Sequence, residues 1–407
     1  MNNEKLIPKL RFPSYSSEWH SYTLGEILTF YSTNSFSREK LNYDTGSVKN
    51  IHYGDIHTKF PSIVSVSDNK DIPFINNEID LSKYSEDQYL QNGDLIIADA
   101  SEDYEDIGKA IEVKNIDDEK VLAGLHTILA RDNNNITVNG FKAYLFSTNS
   151  LKTKIKIIAN GISVLGISKN SLSKLTVNVP SKNEQNDVVD FISLIDNKIE
   201  LLEQKHQYYL DFKKFLMQQI FAQKLRFKDD EIWKTVKLGD ICNITMGQSP
   251  SSENYTENNS HTILIQGNAD IIDGKIVPRV YTSEITKISK PGDIIMTVRA
   301  PVGDLAINEF ESCIGRGVCS IEGNKFIYYL LQSLKDKHVW ERLSQGSTFE
   351  SINSNDIKNL KTSIPSKETQ ETIYLFLTEI DNKIDFFKIQ YLMFQKFKKG
   401  LLQQMFI

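Results

Sequence analysis

The stretch DNKIELLEQKHQYYLDFKKFLMQQIF spans Asp196–Phe221, and a near-copy, DNKIDFFKIQYLMFQKFKKGLLQQMF, spans Asp381–Phe406. The copies lie 185 residues apart, and the alignment runs back without gaps to Pro180 and Pro365, with 17 of 42 positions identical. Similarity at a fixed offset is the mark of a repeated structural unit. The sequence therefore predicts two repeats, each ending in the same long helix.

The repeats also begin alike. KLRF at Lys9–Phe12 recurs at Lys224–Phe227, and WHSYTLGEI at Trp19–Ile27 resembles WKTVKLGDI at Trp233–Ile241. The central segments of the two repeats share little sequence, which indicates that each repeat is a variable domain followed by a common helix. We expect a first variable domain at 1–180, a first helix at 181–222, a second variable domain at 223–364 and a second helix at 365–407.

The variable segments are rich in short strand patterns. GDLIIADA (Gly93–Ala100), GDIIMTVRA (Gly292–Ala300) and LKTSIP (Leu360–Pro365) are β-branched runs bounded by turn residues. FIYYLLQSLKDKHVWERLSQG (Phe326–Gly346) predicts one helix that ends at Gly346. Each variable domain is therefore expected to be a mixed α/β unit.

The repeated helix carries mainly apolar or aromatic residues at spacings that mostly alternate between three and four, which is typical of a coiled-coil seam. Pro180 and Pro365 stand where proline is tolerated before a helix. The predicted seam consists of Val188, Ile192, Ile195, Ile199, Leu202, His206, Tyr209, Phe212, Leu216 and Ile220, and of Ile373, Leu377, Ile380, Ile384, Phe387, Tyr391, Phe394, Phe397, Leu401 and Met405.

Connectivity predicts how the helices run. The ends of a compact domain lie close together, so the second helix should start near the end of the first. The two helices would then be antiparallel, with one domain at each end. The expected fold class is α+β: two mixed α/β domains joined by two long antiparallel coiled-coil helices, with pseudo-twofold symmetry.

Composition and charge restrict the class of protein. No apolar run approaches the roughly 20 residues that cross a bilayer, and the start of the chain lacks the apolar core of a signal peptide. We therefore expect a cytoplasmic protein that binds no membrane. The three cysteines predict buried free thiols rather than a zinc site. A net charge of −6 argues against indiscriminate nucleic-acid binding, but not against a site-specific reader with local basic clusters.

The sequence lacks the common catalytic and cofactor-binding motifs. The sequence has no P-loop, no G-x-G-x-x-G after a strand, no H-E-x-x-H and no G-x-S-x-G. These absences favour a non-enzyme that needs no cofactor and no metal. A nuclease or methyltransferase with a cryptic site, and a structural scaffold whose variable domains bind proteins, remain as alternatives.

Two stretches of the second variable domain carry a resemblance to a known family. KPGDIIMTVRAPVGDLAI (Lys290–Ile307) and IGRGVCSI (Ile314–Ile321), with the W…LGDI start and the G-S…I-P-S end, resemble a target-recognition domain of the type I restriction–modification specificity subunit. The repeat architecture extends this resemblance over essentially the whole chain. The first domain departs from the pattern, because an acidic stretch at Gly93–Ala110 replaces the arginine-containing segment.

The resemblance implies a function and a set of partners. Each variable domain would read one half of a split double-stranded DNA sequence, and the helices would set the gap. Two methyltransferase subunits would dock on the helices, and two motor-nuclease subunits would complete the restriction complex. The chain itself would be non-catalytic, whereas the complete assembly would be a DNA methyltransferase and an ATP-dependent endonuclease.

Candidate DNA contacts follow from side-chain chemistry, since base readout needs directional donors and acceptors on exposed loops. In the first domain, NIHYGDIHTKF surrounds a Gly-Asp turn with polar and aromatic groups, although a plain β-turn is the alternative. Each arginine could instead be a surface ion-pair partner. The predicted DNA-binding residues are His52, Tyr53, His57, Lys59, Arg279, Arg299 and Arg316, with Ser347 and Thr348 as phosphate donors.

Partner docking requires a second apolar stripe beside the seam. Ordinary packing against the adjoining domain is the alternative for these side chains. The predicted partner-binding residues are Phe191, Leu194, Leu201, Phe215 and Met217 in the first helix, and Phe376, Phe386 and Leu402 in the second.

Overall fold

The computed structural model describes residues 6–67, 69–344 and 351–407. The chain divides into two compact units: the first unit comprises Met1–Leu202 and Gln390–Ile407, and the second unit comprises Glu203–Ile389. Each unit combines one variable, strand-rich segment with part of both long helices. The predicted mixed α/β composition is confirmed.

Two long helices dominate the secondary structure. They span Lys182–Phe221 and Lys367–Met405, and each begins two residues after a proline, Pro180 or Pro365. At 1.5 Å per residue, each helix is a rod of about 60 Å. The prediction of two long repeated helices is confirmed.

Within each unit the two long helices pack through the predicted seam. In the first unit, Val188 and Ile192 from the start of the first helix share a core with Leu401 from the end of the second helix. In the second unit, Ile220 from the end of the first helix shares a core with Ile373 from the start of the second. In each unit, the start of one long helix therefore packs beside the end of the other, which is the predicted antiparallel pairing. Phe397 departs from the predicted seam, because 52% of it is exposed.

The variable domain of the first unit contains a five-stranded and a four-stranded sheet. The pairings are antiparallel except where the strands at Ile63–Ser65 and Lys120–Ala123 run parallel to their neighbours. In spatial order, the five strands are Thr29–Tyr31, Thr127–Arg131, Leu95–Ala98, Ala110–Lys114 and Ile63–Ser65, and the four are Lys120–Ala123, Val48–Ile51, Phe74–Ile75 and Leu41–Asn42. A short pair joins Ala100–Ser101 to Leu165–Gly166, and the helices are Leu24–Ile27, Tyr53–Thr58, Phe141–Ser147, Asn149–Ile158 and Lys169–Ser173.

The variable domain of the second unit contains a six-stranded and a five-stranded sheet. In spatial order, the six strands are Asn243–Met246, Val318–Glu322, Ile294–Thr297, Leu305–Ile307, Lys275–Ile276 and Ile271–Ile272. The five are Tyr255–Thr256, Tyr281–Thr282, Thr262–Ile265, Ser312–Ile314 and Ile288–Ser289. The helices are Leu238–Ile241, Lys325–Asp336, Val339–Ser344 and Ser354–Lys358.

Each variable domain is closed by a strand pair made from its two ends. His20–Thr23 pairs antiparallel with Thr176–Val179, and Lys234–Lys237 pairs antiparallel with Lys361–Ile364. The second strand of each pair ends just before a long helix begins. The two ends of each variable domain therefore lie together, as the connectivity argument assumed.

Two local predictions differ from the structure. The stretch predicted to be helical over Phe326–Gly346 forms two helices, Lys325–Asp336 and Val339–Ser344, because His338 between them has a left-handed φ of 55°; the predicted end at Gly346 lies outside the described residues. The turn expected around Gly54 is instead the helix Tyr53–Thr58. That helix forms because Nδ1 of His52 accepts a 3.1 Å hydrogen bond from the backbone N–H of Gly54 and caps the first turn.

Candidate nucleic-acid interface

Tyr53 lies at the centre of a cluster of three histidines in the first unit. Its ring centroid is 4.7 Å from that of His52, 6.0 Å from that of His57 and 5.2 Å from that of His126. The side chain of His126 is half-exposed, whereas His52 is buried. The cluster therefore offers one exposed imidazole on a rigid aromatic base.

The four residues predicted for DNA contact in this domain lie together, but they differ in exposure and in the hydrogen bonds that they form within the domain. His52 is held as a helix cap, and burial, followed by the charge of Arg38, lowers the pKa of its ring. Nε2 of His57 donates to the carbonyl of Ala100 at 3.1 Å. Lys59 is exposed, and its ammonium group is 2.9 Å from the Tyr43 hydroxyl. Lys59 is thus the exposed member, Tyr53 and His57 are part-buried, and His52 is buried.

A cavity of about 480 Å³ lies beside His126. Its lining includes Asp99, Asn160 and Ser168, which supply carboxylate, amide and hydroxyl groups. Nδ1 of His126 is 3.6 Å from the Asp99 carboxylate, and burial raises the pKa of Asp99. Such a mixture of donors and acceptors suits the edges of bases.

Sequence reasoning missed Asp99, His126 and Asn160. They come from three separate parts of the chain, and only the fold brings them to one cavity. His126 also has a φ of 53°, a conformation that nothing in its neighbours predicts for a histidine. Asp99 is the first residue of the acidic run Asp99–Asp106, which is visible in the sequence, but the run does not identify His126 or Asn160 as neighbours of Asp99.

In the second unit, three loops meet at Gly317. A Cβ on Gly317 would lie 2.0 Å from the carbonyl oxygen of Gln266, so the close approach of these loops requires glycine here. The backbone N–H of Val298 donates to the carbonyl of Gly317 at 2.9 Å, which ties the loop of Arg299 to that of Arg316.

Arg279 is connected to the same place through Asp270. The buried Asp270 carboxylate accepts a 2.7 Å hydrogen bond from the N–H of Gln266 and a 3.0 Å hydrogen bond from Nε of Arg279. Arg299 and Arg316 are exposed, and Arg279 is half-exposed. The structure thus joins the loops of the three predicted arginines, whereas Ser347 and Thr348 lie outside the described residues.

The long helices carry exposed apolar side chains within both units. Of the predicted docking residues, Leu194, Leu201, Phe215, Phe376 and Phe386 are exposed. The other three are packed: Met217 and Leu402 are buried in the cores, and Phe191 contacts Phe12 edge-on with ring centroids 5.9 Å apart. Further exposed apolar residues that were not predicted are Tyr208, Leu210, Leu375, Ile389, Leu392, Met393 and Phe397.

The three cysteines are free and buried. Burial raises the pKa of Cys242 to about 11 and that of Cys319 to about 12, which keeps both thiols protonated at neutral pH. Across residues 6–67, 69–344 and 351–407, no set of three or more His, Cys, Asp or Glu side chains is placed to hold a metal ion. Among those same residues, no helix has both the length and the apolar character for a membrane span.

Comparison with known proteins agrees with the fold. The family model described as the type I restriction modification DNA specificity domain matches residues 16–208 and 230–391. The putative type I restriction enzyme MjaX specificity subunit of Methanocaldococcus jannaschii is 30% identical, over 98% of this chain and 95% of that protein.

Solved structures show the same architecture. The type I restriction–modification S subunit from M. genitalium superposes with a TM-score of 0.62 over 98% of this chain and 99% of that one, at 16% identity. A chain from a study of complex assembly and conformational transition in a type I restriction–modification system gives 0.60 over 94% and 96%, at 21% identity. Specificity subunits are the non-catalytic members of these systems. The chain belongs to the type I restriction–modification DNA specificity subunit family.

Proposed function

We propose that this chain reads a split double-stranded DNA target, with one half read by each variable domain and the gap set by the two long helices. The observation that carries the proposal is the closing strand pair of each variable domain, which leads directly into a long helix. A domain fixed to a stiff helix keeps its reading loops in a defined position, which a flexible linker would not do.

For this role we divide the chain as the sequence predicted. Residues 1–180 form the first target-recognition domain and residues 223–364 the second. Residues 181–222 and 365–407 form the spacer helices. The division is supported by the position of the closing strands, since each pair encloses one variable segment.

In the second domain, Arg279, Arg299 and Arg316 are the proposed readers. Guanidinium groups form bidentate hydrogen bonds with guanine in the major groove. The loops of all three are connected through Gly317 and Gln266, so the three side chains belong to one surface of the domain. Ser347 and Thr348 are kept as proposed phosphate donors.

In the first domain, the proposed contacts centre on Tyr53 and Lys59, with His126, Asp99 and Asn160 added. His52 and His57 position the Tyr53 ring rather than contact bases, since both use a ring nitrogen within the domain. A domain with carboxylate and imidazole groups and a domain with arginines suit different base edges. The two halves of the target should therefore differ in sequence.

The exposed apolar residues of the long helices are the proposed docking surface for two methyltransferase subunits, and two motor-nuclease subunits complete the restriction complex. Phe215 and Phe386 are the strongest candidates, because each is more than half exposed although aromatic. Exposed aromatic side chains on a helix are the anchors that partner helices bury. The proposed location remains the cytoplasm.

Methylome sequencing of the host and of a strain lacking this chain tests the proposal. We expect a split motif whose methylation disappears in the deletion strain. Binding of the reconstituted methyltransferase should also fall sharply when the gap between the half-sites is lengthened by a single base pair. An uninterrupted motif, or tolerance of the longer gap, would contradict the proposal that the two long helices set the gap. Protein partners without any footprint on DNA would favour the structural scaffold instead.

A further inference from the structure

A second cavity, of about 540 Å³, lies in the first unit between the helix Asn149–Ile158 and the last turns of the second long helix. Four lysines line it, in a protein whose net charge is −6. Its other lining side chains are mostly polar. The lining residues that matter here are Lys152, Lys156, Lys398, Lys399, Ser147 and Thr153.

Two of the four lysines are neutralised by partners. Nζ of Lys156 lies 2.6 Å from the Glu105 carboxylate, and Nζ of Lys398 lies 2.5 Å from that of Asp196. Within the described parts of the chain, Lys152 and Lys399 form no ion pair and no side-chain hydrogen bond. The cavity therefore keeps an excess of positive charge.

The charged form of Lys152 is destabilised in this arrangement. Burial, and after it the positive charge of Lys109, lowers the pKa of Lys152, with smaller contributions in the same direction from Lys156 and Lys399. The carboxylate of Asp106 acts in the opposite direction without cancelling the shift. A half-buried ammonium group among other ammonium groups is stabilised by an anion that takes the place of water.

The size of the cavity selects the kind of anion. A volume of about 540 Å³ falls in the range of roughly 300–1,000 Å³ that small-molecule sites occupy. Lysine ammonium groups bind phosphate oxygens as point charges. The Ser147 hydroxyl already donates to the carbonyl of Ala143 at 2.8 Å, so Thr153 supplies the hydroxyl group that donates to phosphate.

We propose that this cavity binds a compact polyphosphate, either an inorganic phosphate chain or the triphosphate of a nucleotide, between Lys152, Lys399 and the two paired lysines. The site is built from the first variable domain and the second long helix, so its ligand would stiffen the attachment of that domain to the helix. The proposal does not depend on DNA recognition, because a chain that reads no DNA would still contain the cavity.

Titration calorimetry on the full chain tests the proposal with inorganic triphosphate, ATP and a short DNA duplex as separate probes. We expect saturable one-to-one binding of triphosphate. The double variant Lys152→Gln/Lys399→Gln should weaken it by about tenfold per lysine, since hydrogen bonds to charged groups are the strong class. The control Lys154→Gln/Lys396→Gln removes the same charge from the same two helices outside the cavity, and it should keep the affinity within about twofold.

Equal binding of triphosphate and ATP would assign recognition to the phosphate chain, and tighter binding of ATP would add its nucleoside; both support the site. The absence of saturable triphosphate binding, or an equal loss in both double variants, would overturn it. Displacement of triphosphate by duplex DNA at equal phosphate concentration would also overturn it, and would assign the lysines to the DNA backbone. If the double variant unfolds, Lys399→Gln alone decides the question, because Lys399 is exposed and its loss leaves the core intact.

Discussion

The hydroxyl of Tyr329 donates a 2.7 Å hydrogen bond to the carboxylate of Asp381 on the second long helix. Lys213, on the first long helix, lies 2.7 Å from the same carboxylate and places its ammonium group 5.1 Å from the centre of the Tyr329 ring. The three side chains thus join the variable domain of the second unit to both long helices.

The first unit contains the same arrangement 185 residues away. The Tyr144 hydroxyl donates to Asp196 at 3.0 Å, and Lys398 lies 2.5 Å from Asp196 and 5.3 Å from the centre of the Tyr144 ring. Each carboxylate is on one long helix and each lysine on the other. The duplication therefore preserved a polar contact as well as an apolar seam, and we infer that the contact fixes the domain on the helix pair.

We expect Tyr329→Phe to lower the free energy of unfolding by about 1.5 kcal/mol, which is the lower end of the range for a hydrogen bond to a charged group. The aromatic ring and its packing remain, so the loss is specific to the hydroxyl. Urea denaturation measures it. Tyr208→Phe is the matched control, because Tyr208 is 61% exposed on the first long helix of the same unit. Similar losses in the two variants would show that the Asp381 contact adds nothing.

The same contact predicts a pH dependence. Burial, and then the charge of Asp381, raises the pKa of Tyr329 well above its ordinary value of about 10. The unfolded chain therefore releases this proton at a lower pH than the folded chain does. The stabilisation that the protonated Tyr329 hydroxyl gives to the folded state is therefore complete below a pH of about 10 and declines above it. The urea midpoint should fall between mildly and strongly alkaline buffer, and it should fall less in Tyr329→Phe than in the parent chain.

A buried ion pair in the first unit gives a third prediction. Lys142 and Glu112 are both almost completely buried, 3.0 Å apart, and Glu112 also accepts hydrogen bonds from the N–H groups of Gly140 and Ala143. Lys142→Met should cost about 3–5 kcal/mol, because it leaves a buried carboxylate without its counter-charge. Adding Glu112→Gln should recover part of that loss. Calorimetric melting of Lys142→Met, of Glu112→Gln and of the double variant measures the coupling, and additive losses would contradict it.

The loop junction of the second domain can be tested with two glycines. Gly317→Ala places a methyl group against the carbonyl of Gln266 and should displace the loops of Arg279, Arg299 and Arg316. We expect DNA binding by the reconstituted methyltransferase to weaken by about 1–3 kcal/mol, as for loss of one bidentate base contact. Gly267→Ala is the control, since its Cβ would meet no atom within 4 Å and its φ of 178° is open to any residue. Gel shifts measure both.

Arg299→Ala should weaken binding to the target by about 1–3 kcal/mol without changing the thermal stability of the chain. The reason is that Arg299 is exposed, so its loss removes a contact with DNA and little packing. Competition gel shifts against a DNA with a changed half-site measure both affinity and specificity. An unchanged affinity would remove Arg299 from the proposed readers.

The docking surface is tested by Phe386→Ser. Phe386 is 56% exposed on the second long helix, and an anchor of this type contributes about 2 kcal/mol or more to an interface. We expect assembly with the methyltransferase to weaken at least about tenfold, measured by sedimentation of the mixed subunits. Ile272→Ser, at 52% exposure on the variable domain of the same unit, should leave assembly unchanged. Loss in both variants would point to general destabilisation.

Much of this protein follows from its sequence. The offset of 185 residues between the copies established the duplication, and alternating apolar spacing established both long helices, because a regular period needs no information from distant residues. Strands such as Ile294–Thr297 were equally readable from their β-branched runs. The closeness of the two ends of each domain was expected from compactness, whereas the strand pairs that join those ends were not predicted.

Only the tertiary structure decided which side chains are exposed on the surface. Met217 and Phe215 are two residues apart on one helix, yet one is buried and the other exposed, because the core of the second unit covers one face alone. His126, Asp99 and Asn160 share a cavity through long-range pairing that no local pattern encodes. The sequence determined the helices and strands, since each depends on residues that are close together in the chain. Which side chains are exposed depended on contacts between residues far apart in the chain, and these exist only in the tertiary structure.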